Sequence, residues 1–301
     1  MKLGIFLPLE LREPSELNDF VQACEELGFD HINFGDHVVG SSPAKRAGPY
    51  SHKTIFHEPM VTMAFAANAT RKIGLVVGVI ILPQRQAALV AKQAAQLDFL
   101  SGGRLRLGVG VGWNAIEYEA LGMDFANRGS RIDEQIEVMR KLWCNELVTF
   151  HGKWHEINEA GINPLPVQRP IPIWFGGFSD PMIRRIARFG DGWLMYCDLE
   201  TQAKTCLEKL HKHCDEIGRD PSEIGIQGWV IVNKSDVLGG EVQKSDAHIL
   251  RSPEEWVREI RAWKALGATS LDCWTTWGKL TTVDQHIALA KQFKEVFDAE
   301  I

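Results

Sequence analysis

The sequence predicts an α/β chain that closes into a (β/α)8, or TIM, barrel, and three observations carry the prediction. Short β-rich runs alternate with amphipathic helical stretches from end to end of the 301 residues. Counted along the chain they make about eight strand–helix units, the number that closes such a barrel. A junction of helix, Gly stop, short loop and strand recurs in EELGFDHINF, ARFGDGWLMY and KALGATSLDCW. An open doubly wound sheet would carry the same junctions, so they argue for α/β, and the count argues for the barrel.

The elements follow in order. Residues 2–7 read as a buried first strand. Residues 14–27 read as a helix, because Leu17, Phe20, Val21, Cys24 and Leu27 recur at spacings of three and four and Gly28 stops it. Strand 31–34 comes next, then a polar loop (GSSPAKRAGPYSHKT) and a helix near 58–70. Residues 73–82 are apolar throughout, as expected of a parallel strand covered on both faces. A helix over 86–100 ends at Ser101-Gly102-Gly103, followed by strand 105–111 and helix 128–143. Residues 147–170 break the pattern: VTFHGKWHEI reads as a hairpin and NPLPVQRPIP as an extended connector, together an insertion in the barrel. Strand 171–175, helix 181–189, strand 192–196 and helix 201–217 resume the alternation. Strand 224–232, a Gly-, Ser- and Asp-rich loop over 233–252, helix 254–266, strand 270–274 and helix 283–299 complete it. The whole chain, 1–301, reads as one domain.

Composition sets the outer limits. The chain is 45% hydrophobic and 24% charged with a net charge of −6, which argues against a general nucleic-acid binder with its basic face. No apolar run approaches ~20 residues, so no membrane span is expected. The amino terminus lacks a signal peptide's long apolar run and small-residue cleavage site. Six cysteines occur without a C-x-x-C pair. Most lie in apolar stretches, which points to buried free thiols in a reducing, cytoplasmic setting.

In such barrels the chemistry sits where strands end and loops begin. Asp36-His37 closes the second strand, and a histidine there can move a proton near neutral pH; a loop cap held by Asp36 is the competing role. Gly78-Val79 lies inside the third strand, where Gly marks a bulge or a close approach; a crowded interior explains it at least as well. After the fourth strand Gly108, Gly110 and Gly112 alternate before Trp113, room for a flat ring against backbone or for tight packing. This is not the dinucleotide fingerprint, whose helix and acidic partner are misplaced. Gly176-Gly177 turn after the fifth barrel strand, and Ser179, Asp180 and Pro181 open a helix. With Arg184 and Arg185 one turn on, that helix start would suit a phosphate; a short, well-capped turn is the alternative. Trp113, Trp174, Trp193, Trp229, Trp274 and Trp277 lie in or just beyond strands and suggest an aromatic-walled pocket for a flat or apolar ligand. His151 and His155 have helical zinc spacing but fall on the hairpin, and His211 and His213 read as solvated on a charged helix. Carboxylate and His clustering of a metal hydrolase is lacking, so no metal is expected.

These residues resemble the bacterial luciferase-like monooxygenase family, in particular its deazaflavin (coenzyme F420)-dependent oxidoreductases. The likeness lies in KLGIFLP, in Asp36-His37, and in the long run KIGLVVGVIILPQRQAALVAKQAAQLDFLSGGRLRLGVGVGWNAIEYEALG. It continues in RGSRIDEQIEVMRKLW, PLPVQRPIPIWFGG and RIARFGDGW, covering nearly all of 1–195 and fading beyond Gln202. The resemblance implies coenzyme F420 or reduced FMN, a homodimer, a small organic substrate and, with FMN, a separate flavin reductase. It implies a non-proline cis peptide at Gly78-Val79 whose bulge supports one face of the ring. Asp36 would bond the ring, Val111-Gly112 would lie along it, and Gly176, Gly177, Ser179 and Asp180 would hold the phosphate end. His37 would carry the proton, and Trp113, Trp229, Trp274 and Trp277 would line the substrate pocket. Sugar-phosphate-oxidising members carry a Glu directly after the Gly-rich strand; here that place is Trp113, which argues against that substrate. Two other readings stand beside this one: a flavin-binding homologue without turnover, and a metal-dependent isomerase on the same fold.

Overall fold

A computed structural model describes residues 1–45, 50–232, 252–276 and 280–301. Eight parallel strands close into a barrel in the order β1-β10-β9-β8-β7-β4-β3-β2. They are β1 (Lys2–Phe6), β2 (His31–Phe34), β3 (Gly74–Ile81), β4 (Leu105–Gly110), β7 (Ile173–Gly176), β8 (Gly192–Leu194), β9 (Gly225–Ile231) and β10 (Ser270–Trp274). The hairpin β5 (Val148–His151) and β6 (Glu156–Ala160) stands apart as its own two-stranded sheet, the predicted insertion. The helices are α1 (Pro14–Glu26), α2 (Pro59–Ala69), α3 (Ala87–Ser101), α4 (Ala115–Ala120), α5 (Arg128–Cys144), α6 (Asp180–Phe189), α7 (Ala203–Ile217), α8 (Pro253–Ala265) and α9 (Val283–Glu300). Only α4 has no counterpart in the sequence expectation. It is short, capped by Asn114 accepting from the Ile116 N–H, and buried in a stretch that reads as loop.

Strand alternation sorts side chains into two sets. One set, including Ile5, Ile32, Val77, Leu107, Phe175, Val230 and Leu271, is fully buried in the apolar shell between strands and helices. Burial of each such side chain contributes roughly 1.5–3 kcal/mol, which is what holds the helical ring on the barrel. Leu17, Phe20, Val21 and Cys24 bring α1 to that shell, as their spacing predicts.

The other set points inward, and its middle is polar. Asp272 binds His31 Nε2 at 2.7 Å, Asn33 Nδ2 at 2.5 Å and Gln227 Nε2 at 2.8 Å. Arg106 donates to Gln227 and lies 4.2 Å over the Trp174 ring. A Cβ at Gly192 or Gly225 would strike that indole, so these glycines make room for it. Such barrels commonly fill with branched apolar side chains; here a buried charge and its donors take the middle.

Two polar staples fix the connections outside. The Glu25 carboxylate accepts the N–H groups of Arg71, Lys72 and Ile73 at 2.6–3.0 Å, tying the end of α1 to the turn before β3. Buried Asp98 accepts the Gln168 backbone and side-chain N–H groups at 2.9 and 2.7 Å, anchoring the Pro-rich connector on α3. All six cysteines are free; five are buried and Cys144 is exposed. Among the described residues no helix is long and apolar enough to cross a membrane.

Candidate active site

The carboxyl ends of the strands bring most of the predicted residues to one mouth. At the exit of β2, Asp36 is buried and both its oxygens have protein partners. Arg85 Nη2 donates to Oδ1 at 2.8 Å and the Ile81 N–H to Oδ2 at 3.0 Å. Burial raises its pKa, with the Arg85 charge and the Ile81 N–H pulling the other way. These bonds are those of a cap joining the exits of β2 and β3.

His37 is the next residue and only 15% of its side chain is exposed. Its Nδ1 lies 3.2 and 3.3 Å from the two oxygens of Glu117, which is itself 1% exposed. A carboxylate of this kind accepts only, so the bond requires the proton on Nδ1 and leaves Nε2 as the second nitrogen for chemistry. Glu117 Oε1 also accepts the Val38 N–H at 2.8 Å. Burial works against the ionised Glu117, but His37 and the N–H groups of Val38 and Val39 outweigh it and hold its pKa below the ordinary value. Tyr50 and Phe56 pack on the imidazole at 4.7 and 4.6 Å between centroids, with Trp113 at 6.0 Å. Sequence reasoning missed Glu117. Its signal was Asn114-x-x-Glu117, the spacing of a helix cap and its first-turn acid.

The strands β3, β4 and β7 form an arc of glycines. The Gly78–Val79 peptide is cis, and the β3–β4 register shifts between Val77 and Ile80, so the expected bulge is present. A Cβ at Gly110 or Gly176 would come within 2.7 or 2.8 Å of the Val79 side chain, and one at Gly112 within 2.7 Å of Ile81. At Gly108 it would collide with the Val77 carbonyl. The alternating glycines are therefore accounted for by the bulge itself. Val79 is half-buried, as is Val111 at the end of β4.

Across the barrel, β1, β10, β9 and the end of β8 carry aromatic rings. Phe6 stacks on Trp274 at 4.1 Å, Trp229 meets Trp274 edge-on at 5.4 Å, and Tyr196 meets Trp274 at 5.4 Å. Among the described residues, two of the tryptophans singled out, Trp229 and Trp274, form this wall. Trp113 is 42% exposed and belongs to the His37 cluster. Trp174 lies with Arg106 in the interior, and fully buried Trp193 donates from behind to the Gly177 carbonyl at 2.9 Å. Trp277 and nearly all of the 233–252 loop lie outside the described residues. Phe6, Asn33, Tyr196 and Asp272 were not singled out, although polar residues alternating inside apolar strands (HINF, GIQGW, SLDCW) mark an inward-facing set.

At the exit of β7, Gly177 has φ +109, a left-handed conformation that favours Gly, and residues 177–180 are exposed. Ser179 precedes α6 without a side-chain cap bond. Asp180 turns its carboxylate to His213 Nε2 at 3.1 Å, and Arg185 is engaged by Asp133 at 2.6 Å. His213 is thus buried between Asp180 and Glu216 rather than solvated, because α7 packs that face on α6. Arg184, largely exposed, lies 3.7 Å from the Asp180 carboxylate at this turn. His151 and His155 sit on the hairpin paired with Glu156 and Glu134.

A flat conjugated ring fits these residues. Val79 and the Trp229–Trp274 wall offer apolar faces, and among the described residues buried Asn33 Oδ1 beside Gly78 has no hydrogen-bond partner. Among the described residues no group of three or more His, Cys, Asp or Glu side chains is arranged for a metal ion.

The profile of the luciferase-like monooxygenase family matches residues 1–239, further than the likeness read from the sequence. An uncharacterized protein of Mycobacterium tuberculosis is 43% identical over 214 residues, 68% of this chain and 74% of that one. The F420-dependent glucose-6-phosphate dehydrogenase of Segniliparus rotundus is 29% identical over 233 residues, 74% of this chain and 66% of that one. In fold, an F420-dependent secondary alcohol dehydrogenase solved with an F420–acetone adduct superimposes with a TM-score of 0.79 at 21% identity, covering 100% of this chain and 99% of that one.

Proposed function

Because the chain belongs to the luciferase-like monooxygenase family, we propose that it is an oxidoreductase working with coenzyme F420 or reduced FMN on a small, apolar or ring-containing organic substrate. The observation that carries this reading is the contrast across the mouth. The glycine arc, with Val79 lying over Gly110 and Gly176, faces the wall of Phe6, Trp274, Trp229 and Tyr196, with His37 and Glu117 at its rim. When bound, the cofactor supplies the two-electron chemistry. Val79 and the aromatic wall orient the ring and exclude water, and His37 Nε2 takes or gives the substrate proton while Glu117 holds Nδ1. Gly177, Ser179 and the start of α6 support the phosphate end, with Arg184 as the nearby cation.

F420-dependent glucose-6-phosphate dehydrogenases are among the relatives. Trp113 stands where the sugar-phosphate members have their Glu, and its apolar surface at the rim supports a less polar substrate. The carboxylate that holds His37 is that of Glu117. The lack of a metal-binding cluster among the described residues supports redox chemistry over a metal-dependent isomerase. The free cysteines support a reducing, cytoplasmic setting.

Titration of the purified protein with F420 and with FMN, followed by ring fluorescence, tests the reading. At least one ring should bind tighter than about millimolar, ~4 kcal/mol of binding free energy. If neither does, the oxidoreductase assignment fails.

A further inference from the structure

Tyr196 stands where the two walls of the mouth meet. It follows β8, and its ring packs edge-on against Trp274 and Trp229 at 5.4 and 6.2 Å. Its hydroxyl accepts from Asn33 Nδ2 at 2.5 Å. A Cβ at Gly78 would come within 2.7 Å of that hydroxyl, so no side chain fits between the phenol and the bulge. The phenolic proton faces Asp272 Oδ2 at 3.5 Å, and the Gln227 side chain also engages the hydroxyl. Asp272 is already supplied by His31, Asn33 and Gln227 at 2.5–2.8 Å. A contact at the outer limit of hydrogen bonding leaves the O–H able to turn to a better acceptor. Burial and the Asp272 charge raise the phenol's pKa well above its ordinary value, so the group stays a neutral donor.

We propose that Tyr196 is a ring-contacting residue whose hydroxyl, held by Asn33, hydrogen-bonds the bound ring and favours its reduced, more electron-rich form. The proposal rests on the F420-or-FMN reading above. The hydroxyl keeps its proton throughout; it acts as a fixed donor aimed at charge that grows on reduction, and bonds to charged acceptors are about twice as strong as neutral ones. Hydrogen bonds to the ring are among the means by which a protein tunes such cofactors.

The test compares dissociation constants for oxidised and reduced F420 and FMN in the wild type and in Tyr196→Phe. The variant should lose about tenfold in affinity for the reduced ring, the size of one charge-assisted bond, and less than about threefold for the oxidised one. A tenfold differential equals a drop of ~30 mV in the bound two-electron potential. A packing role would weaken both forms alike, and that result overturns the assignment, as does no change in either. Replacement of Tyr196 by 3-fluorotyrosine keeps the shape with a more acidic hydroxyl. It should tighten reduced-ring binding selectively, and equal effects on both forms contradict the proposal. A wild type that binds neither ring overturns the functional reading and this assignment with it. A wild type that binds while Tyr196→Phe behaves identically overturns the assignment alone.

Discussion

His37 and Glu117 lie 80 residues apart, and their meeting gives the mouth a polarised imidazole. Because the Glu117 carboxylate can only accept, it selects the tautomer with the proton on Nδ1. Imidazole ¹⁵N NMR, at a pH where the ring is neutral, should find His37 predominantly Nδ1-protonated. In Glu117→Ala the population should move toward Nε2–H; an unchanged tautomer would remove Glu117 from the site. At this scale the sequence was half legible. Asp36-His37 stands out as a charged pair closing an apolar strand, whereas Glu117 is one acid in an Asn-Ala-Ile-Glu-Tyr-Glu run that resembles solvated loop. The glycines could be located but not explained from sequence. Gly110 and Gly176 owe their small size to the Val79 side chain, contributed by another strand.

Among the elements, apolar periodicity placed every barrel strand and all but one helix of the described residues within a few positions. That follows because each must bury one face against the shell. What periodicity could not show is how elements are stapled together. Glu25 sits on the polar side of α1, yet its carboxylate serves three backbone N–H groups at 71–73. Those bonds lower its pKa, although its partial burial acts in the opposite direction. Glu25→Ala leaves the three donors to find other partners and should cost about 1–3 kcal/mol, read as a lower melting temperature. A folded pKa below the unfolded value of 4.5 means that the staple contributes fully above that pH. The contribution fades as the pH falls through the lowered folded value. The wild type and variant should therefore converge in stability at strongly acid pH; a gap that persisted there would show that the carboxylate charge is not the source. His213 illustrates the same gap in legibility, since its helix reads as charged and exposed until α6 covers it.

For the whole molecule, strand–helix count is a global property and survives errors at any single boundary, which is why the closed barrel could be read from the chain. The polar interior could not. His31, Asn33, Gln227 and Asp272 come from three strands, β2, β9 and β10, and explain one another only once the barrel closes. That interior supports the mouth from below, under the Gly78–Val79 bulge and the aromatic wall. The central claim is that a flat redox ring lies between them. A crystal structure of the protein soaked with whichever ring it binds tests this most directly. The account predicts ring density against Val79 on one face and the Trp229–Trp274 wall on the other, with His37 at its edge. Density for the ring anywhere else on the barrel would contradict it.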